Sequence, residues 1–135
     1  MQTNIILANS LRLSPDTITF AGATFYLKTD LSRDFMPQSP RNGKPLLCSN
    51  NLIEKDSLPI SSNVKLIRQY VINGNDIWTN EYSQINNYQS FILQGIVRDG
   101  PKWGPNITVD VVCEFKIEDS VFKILAKQQE IIATY

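Results

Sequence analysis

Val64-Lys65-Leu66-Ile67-Arg68-Gln69-Tyr70-Val71-Ile72-Asn73-Gly74-Asn75-Asp76-Ile77-Trp78-Thr79-Asn80-Glu81-Tyr82 carries the decisive local signal of this chain. Two runs rich in β-branched and aromatic residues flank Asn-Gly, and both turn residues tolerate the positive φ that a tight hairpin demands. The segment therefore reads as two antiparallel strands, 64–72 and 77–82. On the C-terminal side, 88–98 and 107–117 form a second strand pair around Asp99-Gly100-Pro101-Lys102-Trp103-Gly104-Pro105-Asn106. On the N-terminal side, Thr17–Phe20 and Ala23–Leu27 are strand-like, with Gly22 between them as a turn or bulge.

Repeated strands with turn residues about every ten positions, and no alternation with helical patterns, predict an all-β fold. The expected architecture is an antiparallel β-sandwich, immunoglobulin-like or related. The tail leaves an alternative open. Glu118-Asp119-Ser120 is short enough to return the chain as another strand, but Phe122, Leu125, Ala126, Gln129, Ile132 and Ala133 fall at helical spacing. A helix over 121–135 would make the fold α+β.

With 135 residues, 42% of them hydrophobic and 19% charged, the chain has the size and apolar content of one domain spanning 1–135. Asp30 to Ser62 stands apart. It holds four of the seven prolines and lacks sustained periodicity, so it reads as a long irregular crossover with room for a short strand near Leu46.

Thirteen basic residues balance thirteen acidic ones, and the pI is near 6.2. A nucleic-acid footprint needs a basic excess to neutralise phosphates, so no nucleic-acid partner is expected. No segment reaches the length of a membrane span. The apolar run Ile5-Ile6-Leu7-Ala8 is too short, and too poor in preceding basic residues, for a secretory signal. A cytoplasmic location follows if Met1 is the native start, and a mature secreted or surface form otherwise. Strict alternation puts Cys113 with Val109, Val111, Phe115 and Ile117 on a core face, as a small hydrophobe rather than half of a disulfide with Cys48.

The chain has no histidine. That removes Ser-His-Asp and Cys-His nucleophile systems and histidine-bearing zinc sites, and two cysteines are half of what an all-cysteine zinc site requires. Asp110 and Glu114 share a strand face, but four strand residues span about 13 Å, more than paired glycosidase carboxylates tolerate. Asn73-Gly74-Asn75-Asp76 lacks the spacing and terminal glutamate of a calcium loop. No metal and no cofactor is expected, and a carboxylate-dependent hydrolase ranks below non-enzymatic roles.

The most distinctive segment is Gly100–Pro105, where Gly-Pro breaks bracket Lys102 and Trp103. A stiffened loop on a β scaffold is where binding residues concentrate, and a displayed tryptophan anchors contacts to proteins or sugars. Folding back to plug one end of the core is the competing fate of Trp103. The expected contact surface is Trp103, Lys102 and Arg98, with Arg33 and Phe35 from the crossover. Together these features suggest a binding or accessory module for a protein or carbohydrate partner. The alternative is a structural or assembly subunit of a homo-oligomeric particle, its edge strands pairing with neighbouring copies.

Overall fold

The computed structural model describes residues 2–135. The hairpin forms as two strands, β5 (Val64–Asn73) and β6 (Asp76–Glu81), paired from Arg68↔Glu81 to Asn73↔Asp76 across Gly74, whose φ is +63°. The remaining elements are β1 (Gln2–Thr3), α1 (Ile5–Leu11), β2 (Thr17–Phe20), β3 (Ala23–Asp34), β4 (Leu46–Glu54), β7 (Gln84–Gln89), β8 (Ile92–Gly100), β9 (Thr108–Ile117) and β10 (Ser120–Thr134). The strands join in the order β1-β6-β5-β9-β10-β3-β4-β8-β7, with β2 added onto β3.

The all-β class stands, but the sheet is mixed rather than wholly antiparallel. Its parallel pair is β10 with β3, where Ile131–Thr134 runs alongside Leu31–Asp34. The cause lies within β10. From Ser120 to Ala126 it pairs antiparallel with β9; the register then shifts through a bulge in which Gln128 takes a φ of +53°, and the strand continues onto β3. Asp110 of β9 fixes this bulge: its Oδ1 accepts from the Gln128 N–H (2.9 Å) and its Oδ2 from Arg12 Nε (2.8 Å). One strand thus serves two halves of the sheet, β1-β6-β5-β9 on one side and β3-β4-β8-β7 on the other.

The two halves share one core. Leu27, Leu31, Cys48, Leu52 and Val97 of one cluster with Leu66, Val71, Val111, Cys113 and Phe115 of the other. Phe25 meets Phe115 edge-on at 6.0 Å, and Phe115 stacks on Phe122 at 5.6 Å. The first half is covered on its other face too. Residues 5–11, opening on an apolar run with no strand partner, form α1, capped by Asn4, whose Oδ1 accepts from the Leu7 N–H (2.9 Å). This helix sets Ala8 and Leu11 against Ile72, Ile77, Val112 and Leu125.

That second covering explains the tail. Ile124, Leu125 and Ala126 are buried consecutively because the core takes Ile124 and Ala126 while α1 takes Leu125. A strand buried on both faces loses its alternation and mimics helical spacing. The C-terminal helix alternative is therefore overturned: 120–134 is a strand. The crossover at 30–62 is also corrected. β3 runs on to Asp34 and β4 fills 46–54, which leaves only 35–45 and 55–63 irregular.

A polar seam crosses the core. Cys48 Sγ donates to Asn50 Oδ1 (3.2 Å), and Asn50 Nδ2 donates to the Tyr82 hydroxyl (2.8 Å) and Gln69 Oε1 (3.3 Å). The Tyr82 ring reaches this position by lying across Gly95, where any side chain would collide with it. Both cysteines are free and fully buried. Burial pushes the Cys113 thiol up to about 12 and raises Cys48 as well. Native protein should therefore resist Ellman's reagent at mildly alkaline pH and label both thiols only as fast as it unfolds. Stoichiometric labelling within the mixing time, with the circular dichroism spectrum unchanged, would contradict this core.

Candidate functional site

The alternation Phe25, Leu27, Leu31, Arg33 along β3 places an arginine on the inward face at the end of the strand. Arg33 is 4% exposed and has no carboxylate partner among the described residues. Its guanidinium is spent on backbone carbonyls instead. Nε donates to Lys44 (3.0 Å), Nη1 to Gly104 (2.8 Å) and Lys102 (3.2 Å), and Nη2 to Asn42. Five fixed donors on a planar fork suit this task, because the loops at 42–44 and 102–104 each leave carbonyls without a strand partner. Arg33 also sits over the Phe35 ring, 5.0 Å from its centroid. Phe35 in turn packs on Tyr135 and against Gly43, which has no room for a Cβ there.

Four of the five residues nominated from sequence thus meet at one end of the sheet, chiefly as a clasp. Trp103 is half-buried and packs on the main core, and Lys102 is exposed with Nζ donating to Asn42 Oδ1 (2.9 Å). Arg98 lies apart, in a groove of about 350 Å³ with Asp34, Lys44 and Asp99. Replacing Arg33 by Met leaves four carbonyls unpartnered at about 1–3 kcal/mol for each one kept dry, so a loss of several kcal/mol in urea unfolding is expected. Arg33→Lys should recover only part of it, since an ammonium cannot span the fork. A Met variant as stable as wild type would refute the clasp.

The opposite end of the sheet carries a hollow of about 420 Å³. Its floor is Phe20, Phe25, Ile60, Val64 and Ile117; its rim is the β2–β3 turn at Ala21-Gly22, the 58–63 loop and Glu118. Glu54, outside the lining, holds two parts of the rim together. This residue is 1% exposed, and its carboxylate accepts three backbone N–H groups: Thr24 at 2.9 Å, Asp56 at 2.7 Å and Leu58 at 2.9 Å. One side chain therefore ties the β2–β3 hairpin to the start of the loop.

These donors, Thr24 first, hold the Glu54 carboxyl below its ordinary value of 4.5. A depressed folded-state value contributes stability that is present above that ordinary value and lost as pH falls through the lowered one. The thermal midpoint of wild type should accordingly drop on acidification from about pH 5 to pH 3, and Glu54→Gln should start lower and flatten that slope. Parallel slopes for the two proteins would show that Glu54 carries no such linkage.

At the rim, Asn63 Nδ2 donates to Glu118 Oε1 (3.1 Å), and the Asn63 carbonyl accepts from the Glu118 N–H (3.2 Å). The carboxylate fixes which way the amide points, because a flipped amide would face oxygen with oxygen. Asn63 Oδ1 is left buried without a hydrogen-bond partner. The hollow therefore offers an aromatic and aliphatic floor with the Glu118 carboxylate at its edge. It is equipped to seat an apolar group that has a hydrogen-bond donor beside it.

Sequence reasoning missed this site because its parts were read as punctuation: Gly22 as a turn or bulge, 58–62 as crossover, and Glu118-Asp119-Ser120 as a turn. The legible clue was Leu58-Pro59-Ile60, an apolar triplet inside a polar loop. Among the described residues, no three His, Cys, Asp or Glu side chains converge as a metal site, and no helix is long and apolar enough to cross a membrane. No protein-family model, curated protein or solved structure matches this chain.

Proposed function

We propose that this chain is a non-enzymatic binding module on a sandwich-type β scaffold, and that it receives an apolar side chain of a protein partner in the hollow between the β2–β3 turn and the 58–63 loop. The observation that carries this reading is a floor of Phe20, Phe25, Ile60, Val64 and Ile117 left open between two loops, with the Glu118 carboxylate at its rim as an acceptor. Two loops tied by Glu54 keep the hollow open, so little ordering is needed on binding. Its volume falls within the range of small-group recognition sites, about 300–1,000 Å³.

The perturbed groups of the chain argue for binding over catalysis. Glu54 and Asp34 are stabilised as anions by backbone N–H groups, and the two thiols are held neutral by burial. A general acid or nucleophile needs the opposite tuning.

The test is selection of a phage-displayed peptide library on the wild type, with Leu58→Glu as the counter-selected control. Leu58 is 47% exposed, so the variant should keep its thermal midpoint. Selected peptides should share an apolar anchor beside a donor, and Leu58→Glu should weaken them by about tenfold or more, or ~1.4 kcal/mol. Peptides without a common anchor, or binding indifferent to Leu58→Glu, would remove the hollow from the reading. A closed oligomer in native mass spectrometry would favour the assembly subunit in its place.

A further inference from the structure

The exposed face of the second sheet half carries a row of carboxamides that neither the core nor the hollow uses. Gln94 of β8 lies directly between Asn51 of β4 and Asn86 of β7. Neighbouring strands are about 4.8 Å apart, so the three amides span about 10 Å across the strands. They line a shallow groove of about 210 Å³ together with Gln89, Ile92 and Tyr88. Tyr88 is 81% exposed, a rare state for a large aromatic with no partner ring.

The row is ordered before any ligand arrives. Gln84 Nε2 donates to Asn86 Oδ1 (3.2 Å), Asn86 Nδ2 to Gln94 Oε1 (3.0 Å), and Asn51 Nδ2 to the Lys28 carbonyl (3.3 Å). This directional chain leaves Gln94 Nε2, Asn51 Oδ1 and the whole Gln89 amide without a hydrogen-bond partner among the described residues. One donor, one acceptor and one group of both kinds then border the groove.

Charge is missing from its lining, and the nearest cation on the amide chain is Arg98, which donates to Gln84 Oε1 (3.4 Å). Residues 82–97 contain no Asp, Glu, Lys or Arg. The row continues on β3 to Lys28, with Asp30 two residues along, so even its far end has no net sign.

We infer that this groove is a subsite for a neutral carbohydrate, laid across the strands with one sugar face on Tyr88 and its hydroxyls on the amides of Asn51, Gln94 and Gln89. Vicinal hydroxyls each donate and accept, as carboxamides do, so the two sets pair without leaving a surplus of either kind. A sugar ring also presents C–H groups to the electron-rich face of tyrosine. The groove is smaller than enclosed pockets for small molecules, about 300–1,000 Å³, as befits a ligand resting on a surface. An acidic ligand would find no cation within the groove. The site is independent of the end hollow and stands or falls separately from it.

The experiment is titration of the ¹⁵N-labelled protein with a panel of neutral oligosaccharides at millimolar concentration: cellotetraose, xylotetraose, maltotetraose and mannotetraose, with tetragalacturonate as the acidic comparator. At least one neutral member should shift the side-chain amide signals of Asn51, Gln94 and Gln89 and leave those of Asn63 unmoved. Tyr88→Ala should weaken that binding by about tenfold, the scale of a lost aromatic contact. Gln94→Leu should weaken it at least as much, because sugar hydroxyls are then left unpaired. Both positions are on the surface, and unchanged thermal midpoints would certify the fold. The inference is overturned if no panel member moves these signals, if shifts map to the hollow, or if the acidic sugar binds more tightly than every neutral one.

Discussion

The bulge in β10 is the constraint on which the remainder of the molecule depends. A straight strand of fifteen residues would hold β9 and β3 in one continuous plane and expose both apolar faces. By turning at Gln128, β10 presents its first part to β9 and its last part to β3, and the two halves of the sheet come to share one core. A non-glycine residue with positive φ is strained, and it persists where its surroundings over-determine it. Asp110 provides that determination from the neighbouring strand, and its second oxygen engages Arg12, just beyond α1. The helix that covers one half and the bend that joins the halves are thus held by one carboxylate.

Two further buried charged groups follow the same logic at opposite ends of the sheet. Glu54 collects backbone donors, and Arg33 collects backbone acceptors. Neither relies on an ion pair. Connections between strands leave N–H and C=O groups without ladder partners, and a fixed ionic side chain satisfies several at once with charge-assisted hydrogen bonds. The consequence for function is a division of labour. Arg33 gathers the loops that carry Lys102, Trp103 and Phe35, leaving Lys102 exposed and both rings half-buried. Glu54 holds its loops around an empty space.

The outer face of the second sheet half differs in chemistry from both ends. There the helix gives no cover, and the cross-strand neighbours Asn51, Gln94 and Asn86 are held by each other and by backbone. An ordered, uncharged and exposed amide row beside a free tyrosine is a different kind of surface from an apolar hollow rimmed by a carboxylate. The two surfaces call for different ligands.

Local pattern alone determined that the chain is built from strands: the Asn73-Gly74 hairpin and the 107–117 alternation are each decided by neighbours in sequence. It also excluded histidine chemistry and placed Cys113 in the core. Tertiary structure decided the rest, because the deciding contacts join residues far apart in the chain. Leu125 is buried on the outer face of its strand because α1 covers it, and within 5–11 Ala8 and Leu11 meet that face while Ile5 and Ile6 stay exposed. Arg33 is structural only because carbonyls at 42–44 and 102–104 arrive around it. The hollow needs 20–23, 58–64 and 117–118 together, and the amide row needs the registers of three strands. Periodicity records which faces a residue could bury; only the assembled fold supplies what those faces meet.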